Sequence, residues 1–188
     1  MESNATFLNY KTGYRLWNVG RRSPLSPLKE FFLGSVTITG PNWPFSEKSE
    51  SRCFRYLEHN SPVFDCKCGI HAFSKMEYMK DNWIRKGCIY GKVALWGRLI
   101  EHENGFRSQF AYPISIEGFK CFRCGKFFTL KKLLHFQELD FYYNLIYLYY
   151  PYCTDCNPHN PYSDGESFYT PEFVLNNIRK NYNISIER

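Results

Sequence analysis

Four cysteines in the second half of the chain have the spacing of a metal site. They form two pairs with two residues between the members of each pair: Cys121, Cys124, Cys153 and Cys156. Two intervening residues let both thiolates turn inward on one knuckle, and Gly125 permits the left-handed backbone that points amides at sulfur. Two knuckles complete a tetrahedral four-thiolate Zn²⁺ site, which is structural because no coordination position is open. A redox pair and free thiols are the alternatives. The pattern favours one structural zinc ion.

A second group of cysteines lies in the first half of the chain. Cys66 and Cys68 are separated by one residue, and His71 follows. With Cys53 or Cys88 they could form a second zinc site, and Cys53, Cys66, Cys68 and His71 are the candidate ligands. Two other interpretations stay open. The cysteines could be small, buried and reduced residues of a tight turn, or they could be a reactive thiolate pair.

Glu101, His102 and Arg107 are the polar group that most resembles an active site. A histidine beside a carboxylate can act as a general acid or base, so a hydrolase or transferase is one function to consider. The plainer interpretation is a hairpin tip with solvated charges and a cross-strand contact between His102 and Arg107. The chain contains no metalloprotease helix, phosphate-cradling glycine loop, nucleophile elbow or acidic two-metal cluster. Their absence lowers the expectation of an enzyme without excluding one.

Basic residues interleaved with aromatic rings favour contact with single-stranded nucleic acid, because cations attract phosphates and rings stack on bases. The candidate binding residues surround the first cysteine pair: Arg123, Lys126, Lys131 and Lys132. Further cations and rings could contribute: Arg15, Arg21, Arg22, Lys29, Lys120, Trp17, Phe122, Phe127 and Phe128. The plainer interpretation is a solvated basic surface over ordinary core aromatics. Contact with nucleic acid or a ribonucleoprotein is nevertheless the function that we favour.

A protein–protein adaptor is the alternative binding function. The segment 141–152 is rich in tyrosine. Aromatic residues are enriched in protein interfaces, so this segment could form the contact surface for a protein partner.

Composition and charge place limits on these functions. The chain has 188 residues, a net charge of +6 and eight cysteines. This charge permits an anionic partner but is below that of a dedicated nucleic-acid-binding composition. The first residues lack a basic region followed by an apolar run, and charged groups interrupt the most apolar stretch. We therefore expect a cytoplasmic protein without a membrane span, in which cysteines are metal ligands or buried thiols and not disulfides.

Strands must position most of these residues. Residues 12–45 are typical of two short strands, 74–86 of a helix, and 91–112 of a hairpin with Asn104 and Gly105 as turn residues. That register sets His102 opposite Arg107. Both faces of the first hairpin strand are apolar, which predicts a central, buried strand.

The segments that follow the hairpin are less uniform. Residues 131–149 suit a helix or a strand. A helix is expected to begin at Pro171 and to finish near Asn181. The predicted class is α+β, an antiparallel sheet domain with a small zinc-ribbon-like insertion.

Two segments resemble a signature of small uncharacterised bacterial proteins. The first is Cys66-x-Cys68-Gly-Ile-His71-Ala-Phe. The second is the run 91–113, which begins with Gly-Lys-Val-Ala-Leu-Trp-Gly-Arg-Leu-Ile-Glu-His and ends with Ala-Tyr-Pro. The resemblance covers about residues 12–115 and 171–188. It implies a cytoplasmic α+β core (1–118 and 171–188) and an inserted zinc-binding module (119–170). The signature has tyrosine where this chain has His71, which argues against His71 as a required ligand.

Overall fold

Antiparallel β-sheet dominates the computed structural model, which describes residues 9–22, 30–36, 42–56, 59–81, 86–142, 146–156 and 167–187. The strands are β1 (Lys11–Arg22), β2 (Phe31–Ser35), β3 (Ser49–Glu50), β4 (Ile70–Phe73), β5 (Cys88–His102), β6 (Gly105–Pro113), β7 (Ser115–Ile116), β8 (Gly118–Lys120), β9 (Phe127–Thr129), β10 (Leu133–Tyr142), β11 (Ile146–Cys153), β12 (Phe168–Tyr169) and β13 (Ser185–Ile186). The helices in these residues are α1 (Met76–Asp81) and α2 (Pro171–Tyr182). The expected antiparallel sheet with short helices is therefore confirmed.

Strand β1 is the centre of the sheet because four other strands pair with it. Residues 11–17 are antiparallel to β5, and the second half of β1 pairs with β2 and β11. Tyr14 also pairs with Phe73 of β4. Trp17, where the partners of β1 change, is fully buried. The two strands expected in residues 12–45 are thus present, and the first of them organises the fold.

A single sheet combines the predicted core with the predicted insertion. Within the described residues eleven strands form this sheet, in the order β12-β10-β11-β1-β4-β6-β5-β8-β9, with β2 beside β1 and β3 beside β6. Strands β7 and β13 form a separate parallel pair. Val19 of β1 lies opposite Tyr149 of β11, so the segment 119–170 pairs directly with the first strand. The division into a core and an inserted module stays a prediction.

Strand β5 is central and buried, as its apolar faces predict. It pairs with β1, β6 and β8, and Val93, Ala94 and Leu95 are at most 5% exposed. A bulge interrupts its pairing with β6 between Trp96 and Leu99. The bulge turns the backbone of β5 within its partly exposed second half.

The turn between β5 and β6 differs from the prediction. Its residues are Glu103 and Asn104, and His102 lies opposite Gly105, so the expected pairing of His102 with Arg107 is wrong. Gly105 belongs to β6 because β4 crosses it closely. A Cβ at this position would lie 2.1 Å from the carbonyl oxygen of Ala72. The glycine is needed for close approach and not for turn conformation.

Residues 133–142 and 146–149, from the stretch that suits either helix or strand by sequence, form most of the strands β10 and β11. The strands are antiparallel, with register shifts near Leu133 and Glu138. Phe136 and Tyr149 are almost completely buried, and the Tyr149 hydroxyl donates to Glu138 at 2.6 Å. Large rings packed against β1 favour the extended backbone here.

Helix α2 begins and ends with standard capping groups. Thr170 Oγ1 accepts a hydrogen bond from the backbone N–H of Phe173, Pro171 occupies the first turn, and Asn183 has a φ of 48° at the C-terminal cap. These features confirm the predicted helix start. No helix in the described residues is long and apolar enough to cross a membrane.

Tyr182, at the end of α2, connects this helix to the sheet. Its buried hydroxyl donates to the carbonyl of Trp43 and accepts from the N–H of Leu33, both at 2.9 Å. The hydroxyl therefore satisfies two buried backbone groups that belong to different segments.

Replacing Tyr182 with Phe should reduce the free energy of unfolding by about 1–3 kcal/mol, because it leaves buried backbone groups without partners. Chemical denaturation of the metal-loaded protein measures this loss. Tyr10→Phe is the matched control, since the side chain of Tyr10 is 48% exposed. Equal stability of Tyr182→Phe and the unaltered protein would contradict the role given to this hydroxyl.

Candidate metal centres

The four cysteines of the predicted zinc site lie together in the structure. The sulfur atoms of one group are all within 4.8 Å of one another: Cys121, Cys124, Cys153 and Cys156. Cys124 Sγ and Cys153 Sγ are 4.0 Å apart. Sulfurs bound to one tetrahedral zinc ion at about 2.3 Å would be about 3.8 Å apart. This group, the four-cysteine centre, therefore has the size of a metal site.

Two knuckles form the four-cysteine centre. The first lies between β8 and β9, where Gly125 has a φ of +71°, as predicted, and its N–H donates to the Cys121 carbonyl at 2.9 Å. The second is the 3-10 turn Thr154–Cys156 after β11. The N–H of Phe122 donates to the carbonyl of Pro151 at 3.0 Å and joins the two knuckles. Strand pairing thus brings together cysteines that are 29 or more positions apart in sequence.

The thiols of this centre do not all ionise readily without a cation. Burial raises the pKa of Cys153 to about 12, and hydrogen bonding to Cys156 and Cys121 adds to the shift. Burial also raises the pKa of Cys156. A bound metal ion reverses this tendency, because a coordinated thiol is deprotonated. The donor set fits a divalent ion that prefers sulfur.

Cys53, His59, Cys66 and Cys68 form a second group. Their ligand atoms also lie within 4.8 Å of one another. Cys53 Sγ is 3.7 Å from Cys66 Sγ, and His59 Nε2 is 3.2 Å from Cys68 Sγ. Three sulfurs and one imidazole nitrogen are a common structural ligand set for zinc. We call this group the three-cysteine–histidine centre.

His59 occupies the position in this group that we expected for His71. His71 Nε2 is 2.9 Å from the backbone carbonyl of Lys67, outside the group. Cys88, the other cysteine considered, is completely buried beside Asn18, 3.4 Å from its Oδ1. The sequence contains a signal for His59, since this residue lies between Cys53 and Cys66. The signal is weaker than that of a paired knuckle, because His59 is not part of a short, regular motif.

Arg107 holds the backbone around the three-cysteine–histidine centre. Its guanidinium donates to the carbonyls of Val63, Cys66 and Cys68. Between Ser51 and Gly69 the described residues form no helix or strand. Arg107 therefore acts here as a clamp that holds the backbone of this segment.

Hydrogen bonding favours the thiolate form of Cys68 at this centre, whereas the pKa of Cys66 is raised. Burial opposes ionisation of Cys68, but hydrogen bonds from Ser61, His59 and the backbone at Val63 outweigh it and lower the pKa of this thiol to about 6. A ligand that is already inclined to lose its proton suits a metal ion.

The other two candidate catalytic residues lie at the tip of the hairpin formed by β5 and β6. Glu101 and His102 are exposed residues at the end of β5. A polar cleft of about 320 Å³ adjoins the three-cysteine–histidine centre, and its lining includes Arg52, Arg98 and Gln109 but none of the three candidate catalytic residues. The structure thus does not gather Glu101, His102 and Arg107 around this cleft.

The candidate nucleic-acid-binding residues surround the four-cysteine centre. Arg123, Lys126, Lys131 and Lys132 are all exposed. Lys132 forms an ion pair with Asp155 at 2.9 Å. Lys86, which sequence analysis did not select, extends over Gly125 and donates to the carbonyl of Arg123 at 3.4 Å.

The aromatic residues expected beside these cations are partly buried. Their rings contact other aromatic rings: Phe122 with Tyr150 and Tyr152, Phe127 with Tyr90, and Phe128 with Phe119. The expectation that they stack on bases stays a prediction.

Three of the first-strand candidates likewise have structural contacts. Trp17 is fully buried, Arg21 is 6% exposed and donates to the Tyr169 hydroxyl at 3.0 Å, and Arg15 packs over the Trp43 ring. Lys29 lies outside the described residues.

Three of the tyrosines considered for an adaptor surface are also buried, and Tyr147 is half-buried. Tyr149 and Tyr150 are 1% exposed and Tyr152 is 8% exposed, whereas residues 143–145 lie outside the described part of the chain. These three rings pack in the interior of the sheet.

No protein-family model matches the chain, and no curated protein or solved structure shows a significant match to it. The resemblance to small bacterial proteins stays a prediction. The functional interpretation therefore depends on the donor atoms and the surfaces next to them.

The two centres should bind two metal ions per chain. Elemental analysis of purified protein is expected to give a ratio near two, because each group of donors in the structure is the size of a tetrahedral site. Cys121→Ser with Cys153→Ser should remove one ion, and Cys66→Ser with Cys68→Ser should remove the other. Cys88→Ser is the control and should keep both. Metal-free protein that folds normally would refute the assignment.

Arg107→Gln should weaken metal binding at the three-cysteine–histidine centre by roughly 10- to 100-fold, as is typical when a group that orients ligands is lost. Competition with a chromophoric chelator measures this affinity. Arg179→Gln, at an exposed position of α2, should leave it unchanged. An unaltered affinity in Arg107→Gln would mean that the clamp does not support the metal.

Proposed function

We propose that this protein is a zinc-stabilised module that binds nucleic acid. Sulfur and imidazole donors in four-ligand groups are the set that zinc prefers, and both groups supply it. Four protein ligands leave no open position, so each ion would be structural. The protein's activity would then depend on the surfaces that the two centres hold in place.

The observation that carries this proposal is a basic face around the four-cysteine centre. We define the basic face by six cations: Lys86, Lys120, Arg123, Lys126, Lys131 and Lys132. A divalent ion with four thiolates carries two negative charges, and Asp155 adds one. The six positive charges outnumber these negative charges, which leaves a positive surface suited to phosphates.

Contacts within the structure support the grouping of these cations. Lys86 reaches the carbonyl of Arg123, and Lys132 pairs with Asp155 beside Cys156. The Lys132 ammonium lowers the pKa of Asp155, to which Lys126 also contributes. The carbonyl of Cys121 accepts a hydrogen bond from the N–H of Gly125, and the N–H of Cys121 donates to the carbonyl of Lys126. The first knuckle therefore fixes the backbone of this face.

Binding of this kind should weaken steeply as salt increases. Neutralising Arg123 and Lys126 together, as Arg123→Gln with Lys126→Gln, should lower the slope of log affinity against log salt by roughly 1–2, because each lost phosphate contact removes about 0.7–0.9. Fluorescence anisotropy with a labelled oligonucleotide measures the slope.

The matched control for this experiment is Arg179→Gln with Lys180→Gln, a pair of exposed cations in the last turn of α2. It removes the same charge at a different surface and should change the slope less. Equal effects of the two pairs on the slope would indicate that net charge alone, and not the basic face, governs binding. Absence of binding at low salt would refute the proposed function.

A further inference from the structure

The most exposed aromatic rings in the described residues lie around the three-cysteine–histidine centre. Phe54 is 76% exposed, Phe64 is 82% exposed and Tyr56 is 50% exposed. The other large apolar side chains in this exposed class, Tyr10 and Phe173, lie on other segments and are 48% and 38% exposed. A single exposed ring is ordinary on a protein surface, but three within eleven residues form a concentrated feature.

Each ring lies close in sequence to a candidate metal ligand. Phe54 directly follows Cys53, and the backbone N–H of Tyr56 donates to Cys53 Sγ at 3.3 Å. Phe64 lies two residues before Cys66 in a turn where the Cys66 N–H donates to the carbonyl of Val63. We name Phe54, Tyr56 and Phe64 the aromatic knuckle, since all three depend on the same centre.

Histidine packing and the arginine clamp stabilise this arrangement. The ring of Tyr56 lies 5.9 Å from that of His59, itself a member of the centre. Arg107 and Arg98 donate to backbone carbonyls of the same segment, at Val63 and Ser61 respectively. The exposed rings are thus attached to a braced backbone.

Cations alternate with the rings along this segment. Arg52 and Arg55 flank Phe54, and the Arg55 guanidinium lies 5.3 Å from the centre of the Tyr56 ring. Lys67, between two of the cysteines, is also exposed. Interleaved charge and rings match the repeat of a single strand, in which phosphates and bases alternate.

We propose that the aromatic knuckle is a base-stacking platform for single-stranded nucleic acid. Phe54 and Phe64 contact bases, and Arg52, Arg55 and Lys67 approach the phosphates beside them. Because the bases of a duplex already stack on one another, the platform requires an unpaired strand. This inference rests on the proposed function and adds a second surface to it, with stacking in addition to charge.

A pair of oligomers separates stacking from charge. One is an oligothymidylate about twelve nucleotides long, within the range of common single-strand sites, and the other is an abasic oligomer of equal length and charge. The zinc-loaded full-length protein should bind the first more tightly. Phe54→Ala with Phe64→Ala should lose at least about 25-fold in affinity for oligothymidylate and little for the abasic oligomer, since stacking supplies about 5-fold or more per ring.

Controls distinguish the platform from general damage. Tyr10→Ala removes an exposed ring elsewhere and should bind both oligomers as the unaltered protein does. Metal content is measured for each variant. Should the alanine pair lose metal, Phe54→Leu with Phe64→Leu keeps apolar bulk without the flat ring, and it should lose the preference for bases in the same way.

The outcomes separate the two proposals. Equal binding of both oligomers, with steep salt dependence, would overturn the platform and leave the basic face intact. Unchanged oligothymidylate binding by both Phe54/Phe64 pairs would also overturn it. Failure to bind either oligomer at low salt would overturn the platform and the proposed function together.

Discussion

Convergence of metal-binding donor atoms is the constraint on which the rest of this structure depends. Sulfur atoms approach to 3.7 Å and 4.0 Å in the two centres, close to the edge of a tetrahedral thiolate site. The segment from Ser51 to Gly69 has no helix or strand among its described residues, and loops of this length need another source of order. A bound metal ion would supply it, because one ion can replace many weak contacts. Together with the hydrogen bonds from Arg107 and Arg98, it would fix the positions of the rings and cations on the loop.

The sheet determines where each centre lies. The four-cysteine centre forms where β8, β9 and β11 end, and pairing of β11 with β1 and of β8 with β5 brings the two knuckles together. The three-cysteine–histidine centre depends on β6, since Arg107 on this strand clamps the loop. One scaffold thus supports both centres. The cations of the chain divide accordingly: Arg21 and Arg107 hold the protein together, whereas the cations of the basic face are exposed apart from the half-buried Lys120.

Local patterns in the sequence were sufficient for several parts of this account. Regular spacing identified the four-cysteine group and the left-handed Gly125, because ligands on one knuckle are close in sequence. Apolar residues on both faces identified β5 as a central strand, and Pro171 marked the start of α2. Each of these depends on a few neighbouring residues. Strand pairing within residues 131–149 did not follow in this way, because the packing of Tyr149 against β1 decides it.

By itself, then, the sequence determined which cysteines could ligate a metal and which short segments have the residue pattern of a strand. Both are properties of residues that are close in sequence. Only the tertiary structure decided that His59 and not His71 joins the cysteines, because loop closure selects the partner. It also decided that Gly105 enters β6, where close contact with β4 excludes a side chain. Exposure of a ring or a cation depends on what packs over it. The surfaces that could meet a partner therefore emerge only when distant segments come together.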